Sequence, residues 1–323
     1  MHVLIIGAAG MLGRKLAHAL AGAVRLGGQR VTRLTLADVV PPPLPGGITA
    51  TAEAVDLRRA GVAAALVATR PDVIFHLAAV VSAQAEAEFE TGYAVNLDAT
   101  RALMDAIRAQ PDYCPRLVFT SSIAVFGTPF PARIPDAFPT RPKSSYGTQK
   151  AMVELLLDDL TRRGHVDAIS LRLPTICIRP DAPNRAASGF FSNILREPLM
   201  GKPAVLPVRD SLRHWFASPR AAVRFLMEGA VIEGAALGHD RALTLPGLSA
   251  TVAEAIEALR RVAGQKAVDL IHHAPDPAIA AIVETWPQDF EAARARALGF
   301  TAEASFDEII AAHIEDEMGG RLP

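Results

Sequence analysis

The chain has 323 residues, half of them hydrophobic and 21% charged, with a formal net charge of -1. That length supports one large domain or two closely joined ones, and the charge balance excludes both the basic excess that a nucleic-acid partner demands and the signature of disorder. Cys114 and Cys177 lie far apart, without His or Cys neighbours at metal-ligand spacing, so neither a disulfide scaffold nor a metal site is expected.

The N-terminal stretch MHVLIIGAAGMLGRKLAHALAGAV is apolar enough to imitate a signal peptide, but Arg14, Lys15 and His18 interrupt it. Its glycines explain it better. His2 to Ile6 is a strand-type run, Gly7-Ala-Ala-Gly10-Met11-Leu12-Gly13 follows, and Arg14 to Val24 reads as a helix. Glycines at these positions let the chain turn tightly, bring backbone N–H groups close to a pyrophosphate and seat the helix against its strand. The phosphate charge then meets a helix N-terminus.

A second strand, Val31 to Ala37, ends at Asp38, where a carboxylate accepts hydrogen bonds from an adenosine ribose and repels a 2′-phosphate; NAD is expected over NADP. A solvated strand end is the alternative for Asp38. Pro41 to Gly47 must be an exposed loop. Helical stretches at Leu57 to Thr69 and Thr91 to Ala109 alternate with strands at Val73 to Leu77 and Arg116 to Thr120. This alternation predicts an α/β fold, a doubly wound parallel sheet of Rossmann type, with ligands at the carboxyl ends of its strands. At those ends lie Asp56-Leu57, His76-Leu77-Ala78-Ala79 and Thr120-Ser121-Ser122. His76 reads as a packed residue beside the sheet, not a catalyst. No uninterrupted apolar run reaches the roughly 18 residues of a membrane span, so a cytoplasmic protein with no membrane partner is expected.

In SSYGTQK, Ser144 and Ser145 are N-cap types, and the apolar spacing from Met152 to Leu160 predicts a helix. Tyr146 and Lys150, four residues apart, share one face of it. An ammonium beside a phenol favours the phenolate, which suits Tyr146 to accept a proton.

Together, Gly7-x-x-Gly10-x-x-Gly13, Asp38, Asp56-Leu57, His76-Leu-Ala-Ala79, Asn96 in YAVNLDAT, Ser122 in FTSSIAVFG and Tyr146-x-x-x-Lys150 resemble the extended short-chain dehydrogenase/reductase family, which includes nucleotide-sugar epimerases and dehydratases. The resemblance implies an NAD-binding domain over 1–175, joined by part of 205–240, and an interleaved substrate domain over 176–323. It implies NAD held by Gly7, Gly10, Met11, Leu12, Gly13, Asp38, Asp56 and Leu57, then by Leu77, Ala78, Ala79, Asn96 and Ser121. Tyr146, Lys150 and the segment Pro174-Thr175-Ile176 complete the set, although many relatives carry an asparagine at Pro174 or Thr175. It further implies Tyr146, Lys150 and Ser122 as the catalytic set and a homodimer built partly on the helix of Tyr146.

Beyond Ile178, a turn-rich crossover over 179–185, a helix from Gly189 to Met200, and a strand from Ser211 feeding a helix capped by Ser218-Pro219 are expected. Ser82 and two arginines, Arg179 and Arg213, are the candidate substrate contacts, an arginine fork being matched to a carboxylate. RHWFASPRAAV and LRLPTICIRP look most like the branch of the family that oxidises the 2-hydroxyl of a four-carbon sugar acid with NAD. A nucleotide-sugar 4-epimerase, an L-threonine dehydrogenase-like enzyme and a non-catalytic NAD(P)-sensing regulator are the competing readings.

Overall fold

The computed structural model describes residues 1–180 and 188–322, and the chain divides into two compact units. The first comprises Met1–Val125, Ser144–Arg172 and Val223–Leu243; the second comprises Phe126–Lys143, Leu173–Ala222 and Thr244–Pro323. Residues 126–143, expected within the cofactor domain, therefore belong to the second unit. Aromatic packing is the reason: Phe126 lies 6.1 Å from Phe138 and 5.5 Å from Phe290, ring centre to ring centre, and Ile134 exchanges backbone hydrogen bonds with Asp289 and Glu291.

The first unit is built on a seven-stranded sheet. Its strands are β1 (His2–Ile6), β2 (Arg33–Asp38), β3 (Ala50–Ala54), β4 (Val73–His76), β5 (Arg116–Ser122), β6 (Asp167–Leu173) and β7 (Ala242–Thr244). They lie in the order β3-β2-β1-β4-β5-β6-β7. β1 pairs in parallel with both β2 and β4, β2 with β3, and β4 with β5. The order reverses between β1 and β4, and such a switch point opens a crevice at the strands' carboxyl ends. Leu4, Ile74, Leu117 and Ala168 from four strands share a core with Leu103, Met104, Val153 and Leu157 from the helices.

The helices of this unit are α1 (Met11–Ala23), α2 (Val62–Ala68), α3 (Ser82–Ala87), α4 (Phe89–Tyr93), α5 (Ala99–Arg108) and α6 (Ser145–Arg162), among others. Two expectations change. The stretch from Leu57 is helical only from Val62, because Gly61 adopts φ 82° and residues 57–60 turn back on Asp56. The single helix expected over Thr91 to Ala109 is three pieces, with a π-helical turn, Ala94–Asp98, between α4 and α5. Such turns concentrate at functional sites, and this one carries Asn96.

In the second unit, strand Arg213–Ala217 pairs in parallel with Thr175–Ile176 and antiparallel with Leu248–Thr251. Helix Gly189–Leu199 has the expected bounds to within a residue. Phe190, Phe191, Phe216, Leu259 and Ile309 form the centre of its core. Ser218 caps the following helix, its Oγ accepting from the Ala221 amide at 2.9 Å. The crossover expected over 179–185 falls, from residue 181 on, outside the described residues. Among the described residues, no helix is long and apolar enough to cross a membrane.

Candidate active site

β1 runs into Gly7, whose φ is 90°, a conformation that costs glycine nothing and an L side chain a good deal. A Cβ at Gly7 would lie 2.6 Å from the Ala78 nitrogen, and one at Gly13 would lie 2.3 Å from the Gly7 carbonyl oxygen. These two glycines are needed to fold the turn and seat α1. Gly10 is different: its φ is ordinary, and a Cβ there would meet only the Gly7 oxygen, at 3.4 Å. The packing of the chain itself does not require glycine at that position, whereas a pyrophosphate approaching the backbone does. α1 begins at Met11 with no side chain capping it, so its first N–H groups suit a phosphate.

Asp38, at the end of β2, accepts the Ala9 amide on Oδ2 at 2.9 Å and the Val39 amide on Oδ1 at 2.7 Å. It therefore braces the glycine turn and still has lone pairs for ribose hydroxyls. Leu77 and Ala78 extend from β4 by donating to the Ile6 carbonyl at 2.8 and 3.1 Å, and Leu77, Ala78 and Ala79 are half-buried. Asp56 lies two residues beyond β3 and is forked by Arg58, with Nη2 to Oδ2 at 2.7 Å; that hydrogen-bonded guanidinium holds its carboxyl below the usual range.

Ser144 caps α6, its Oγ accepting from Gly147 N at 3.1 Å. One stripe of the helix then turns inward: Lys150, Val153, Glu154 and Leu157 are buried, while Tyr146 at its head is half-buried. Lys150 is 1% exposed and donates to the Thr120 carbonyl at 2.7 Å. Its Nζ lies 4.4 Å from the Phe119 ring centre and 5.6 Å from that of Tyr146. Burial pulls the lysine down to about 7, and the Glu154 carboxylate opposes that fall. Ser122, at the end of β5, is half-buried, and its Oγ accepts from Ala124 N at 3.1 Å; as the acceptor there it keeps its own hydrogen to donate.

Two expected cofactor contacts face inward instead. Asn96 is 1% exposed, and its amide is engaged with both backbone atoms of Val80 and with Gln149; it holds the loop after β4. Ser121 is 2% exposed and donates to Glu154 Oε1 at 2.5 Å. The sequence reading missed Glu154 and Arg172, a buried pair joined by Nη2 to Oε2 at 2.7 Å and Nε to Oε1 at 3.0 Å. One signal for Glu154 was available: the four-residue step from Tyr146 to Lys150, repeated once more, lands on it.

His76 is fully buried and held down to about 3 by that burial. The Thr100 hydroxyl donates to the Asn96 carbonyl at 3.1 Å, so His76 Nε2 is the donor in its 2.8 Å bond to Thr100. It is a neutral structural residue.

In the second unit, Pro174 and Ile176 are buried and Thr175 is half-buried, its hydroxyl 2.6 Å from His214 Nε2. His214 stacks on Phe191 at 5.4 Å, and burial holds it down to about 4. Arg179 donates to the Ile176 carbonyl at 3.1 Å and to Ser188 Oγ at 3.0 Å. Arg213 donates to the Ser249 carbonyl at 3.0 Å and lies 3.3 Å from Glu254, an anion that competes with any carboxylate ligand. Ser82, in the first unit, begins α3 and is half-buried.

A model of the NAD dependent epimerase/dehydratase family matches residues 3–217. The chain belongs to this family. It is an NAD-dependent oxidoreductase, and the Gly10 position, which its own packing leaves open, fits that cofactor. A D-erythronate dehydrogenase from Cupriavidus necator is 49% identical over 98% of both chains. A D-erythronate dehydrogenase from Haemophilus influenzae is 39% identical over 98% of this chain and all of the relative. Among solved structures, one described as a nucleoside-diphosphate-sugar epimerase from Agrobacterium tumefaciens superposes with a TM-score of 0.98 at 60% identity, covering all of this chain and 96% of that one. The two descriptions disagree on chemistry while agreeing on family and fold.

Proposed function

We propose that this enzyme oxidises the 2-hydroxyl of a small sugar acid, D-erythronate to 2-oxo-tetronate being the best candidate reaction. The observation that carries the reading is the near full-length similarity to two D-erythronate dehydrogenases, joined to a chain that keeps Tyr146, Lys150 and Ser122. Bound NAD would supply the acceptor for the hydride of carbon two. Tyr146 takes the hydroxyl proton, Ser122 donates to the same oxygen and orients it, and Lys150 supplies positive charge beside the phenol and binds the nicotinamide ribose. Arg213 or Arg179 neutralises the acid. Gly7, Gly10, Met11, Leu12 and Gly13 hold the pyrophosphate and Asp38 the adenosine ribose. Asp56 and Leu57 would serve the adenine end, and Leu77 to Ala79 and Pro174 to Ile176 would hold the rest of the dinucleotide. A homodimer formed through α6, whose Leu155 is 68% exposed, and a cytoplasmic location belong to the same reading.

The second reading, a redox-neutral 4-epimerase, is favoured by the description of the Agrobacterium structure. Incubation with NAD and four-carbon aldonic acids, UDP-sugars or threonine separates the two. We expect NADH to accumulate with a four-carbon 2-hydroxy acid; epimerised UDP-sugar without net NADH, and none with any acid, would overturn the proposal. Tyr146→Phe should lower kcat by about 100-fold or more while NADH still binds, and near-normal turnover would remove Tyr146 as the base.

A further inference from the structure

The end of β5 is tied to α6 at two consecutive residues. Lys150 donates to the carbonyl of Thr120 at 2.7 Å, and Ser121 donates to Glu154 Oε1 at 2.5 Å. The next residue is Ser122. Glu154 is held from the other side by Arg172 on β6, whose Nε and Nη2 both donate to it. All of these partners are buried: Lys150 is 1% exposed, Ser121 2%, Glu154 3% and Arg172 7%. A buried ion pair of this kind is weak evidence for stability, since apolar residues of similar volume often serve as well. Its placement one helical turn from Lys150 and one residue from Ser122 gives it a different use.

We propose that the Glu154–Arg172 pair is the positioning element of the active site: Glu154 fixes the end of β5 through Ser121, so aiming Ser122, and its carboxylate keeps the buried Lys150 in the charged form that Tyr146 needs. The proposal rests on the reading of Tyr146 as the base and Lys150 as its charged neighbour.

Among the described residues, Glu154 is the counter-charge to Lys150. From α6 it meets Tyr146 and Glu154; β5 presents the Thr120 carbonyl and the Phe119 ring. β4 presents His76, which is neutral. Arg172 reaches the site through Glu154, and Asp158, one further turn along α6, faces Glu154 and Arg172. Burial works against the lysine's charge and Glu154 works for it. Removing the carboxylate must therefore let Lys150 lose its proton at lower pH, and the loss of positive charge beside the phenol must follow.

The test is the titration of Lys150 itself, read by NMR on protein carrying ¹³Cε-lysine. Lys15, Lys143, Lys202 and Lys266 are the other lysines, so the signal is assigned by its absence in Lys150→Arg. In Glu154→Gln the midpoint should fall by about half a pH unit or more, and the alkaline limb of kcat should move with it. Because Glu154→Gln removes the buried charge that Arg172 forks and risks the fold, Glu154→Met/Arg172→Met serves as the second variant, and its midpoint should move the same way. Ser121→Ala should leave the midpoint in place and lower kcat about 5- to 50-fold, with NADH affinity within about twofold of the unsubstituted chain. An unmoved midpoint in both folded Glu154 variants, or an unchanged kcat in Ser121→Ala, would overturn the proposal. The titration needs no substrate, so a moved midpoint in a protein that oxidises no acid would count against the proposed reaction and not against the role of Glu154.

Discussion

Asp38 shows how one carboxylate can serve the fold and the ligand together. Its two oxygens already accept the Ala9 and Val39 amides, so a substitution that keeps an acceptor separates charge from architecture. Asp38→Asn retains one side-chain oxygen for the Ala9 amide and removes the repulsion that a 2′-phosphate would meet. If Asp38 faces the ribose, its NADP-over-NAD preference, measured as the ratio of NADPH and NADH dissociation constants, should rise about tenfold or more. An unchanged ratio would mean that Asp38 only braces the turn. The ribose role was legible because strand, glycine turn and acidic strand end follow in order along the chain. The bracing role was not, since a bond from Ala9 to Asp38 links residues that only the pairing of β1 with β2 brings together.

The glycine turn is the element whose parts separate most cleanly. Gly13→Ala would drive a Cβ to 2.3 Å from the Gly7 oxygen and 2.6 Å from Ala8 Cα, both backbone atoms that cannot swing aside. We expect it to lower the thermal midpoint by several degrees. Gly10→Ala should keep the midpoint within about 2 °C and weaken NADH binding about tenfold or more, because its Cβ enters space that only the cofactor uses. Equal destabilisation by the two would show that Gly10 also serves the fold. α6 carries a related lesson. Its residue spacing predicts that Tyr146 and Lys150 share a face, but the spacing says nothing of depth. The sheet decides that Lys150 is fully covered while Tyr146 stays half-open, and that cover pulls the lysine down to about 7. The π-helical turn at Asn96 was also out of reach, because the contacts that accompany it, from Asn96 to Val80 and Gln149, join residues 16 and 53 positions apart.

For the whole molecule, the buried histidines set the dependence of stability on pH. His76 and His214 titrate at about 3 and about 4 in the folded chain, against 6.5 when unfolded. Above pH 6.5 these two histidines are neutral in both states and cost the fold nothing. As pH falls below 6.5 the unfolded chain takes up protons that the folded chain refuses, and each histidine costs about 1.4 kcal/mol per pH unit until its folded value is reached. Asp158, raised to about 6 by burial, works in the opposite direction over pH 6 to 4, though its partial exposure weakens that offset. Lys150 is protonated in both states below about 7 and adds no slope there. Denaturant unfolding should thus show stability falling from pH 6.5 to 4.5, with a slope reduced by about half or more in His214→Gln; a flat profile would show these histidines to be accessible to protons. By itself the sequence determined the fold class, the cofactor and the pairing of Tyr146 with Lys150, because these follow from hydrophobic period, glycine spacing and helical geometry along a continuous chain. Only the tertiary structure decided that residues 126–143 leave the first unit, that Asn96 and Ser121 face inward, and that Glu154 and Arg172 stand behind the site. Those outcomes depend on burial and on contacts between residues distant in the chain, and a local pattern carries neither.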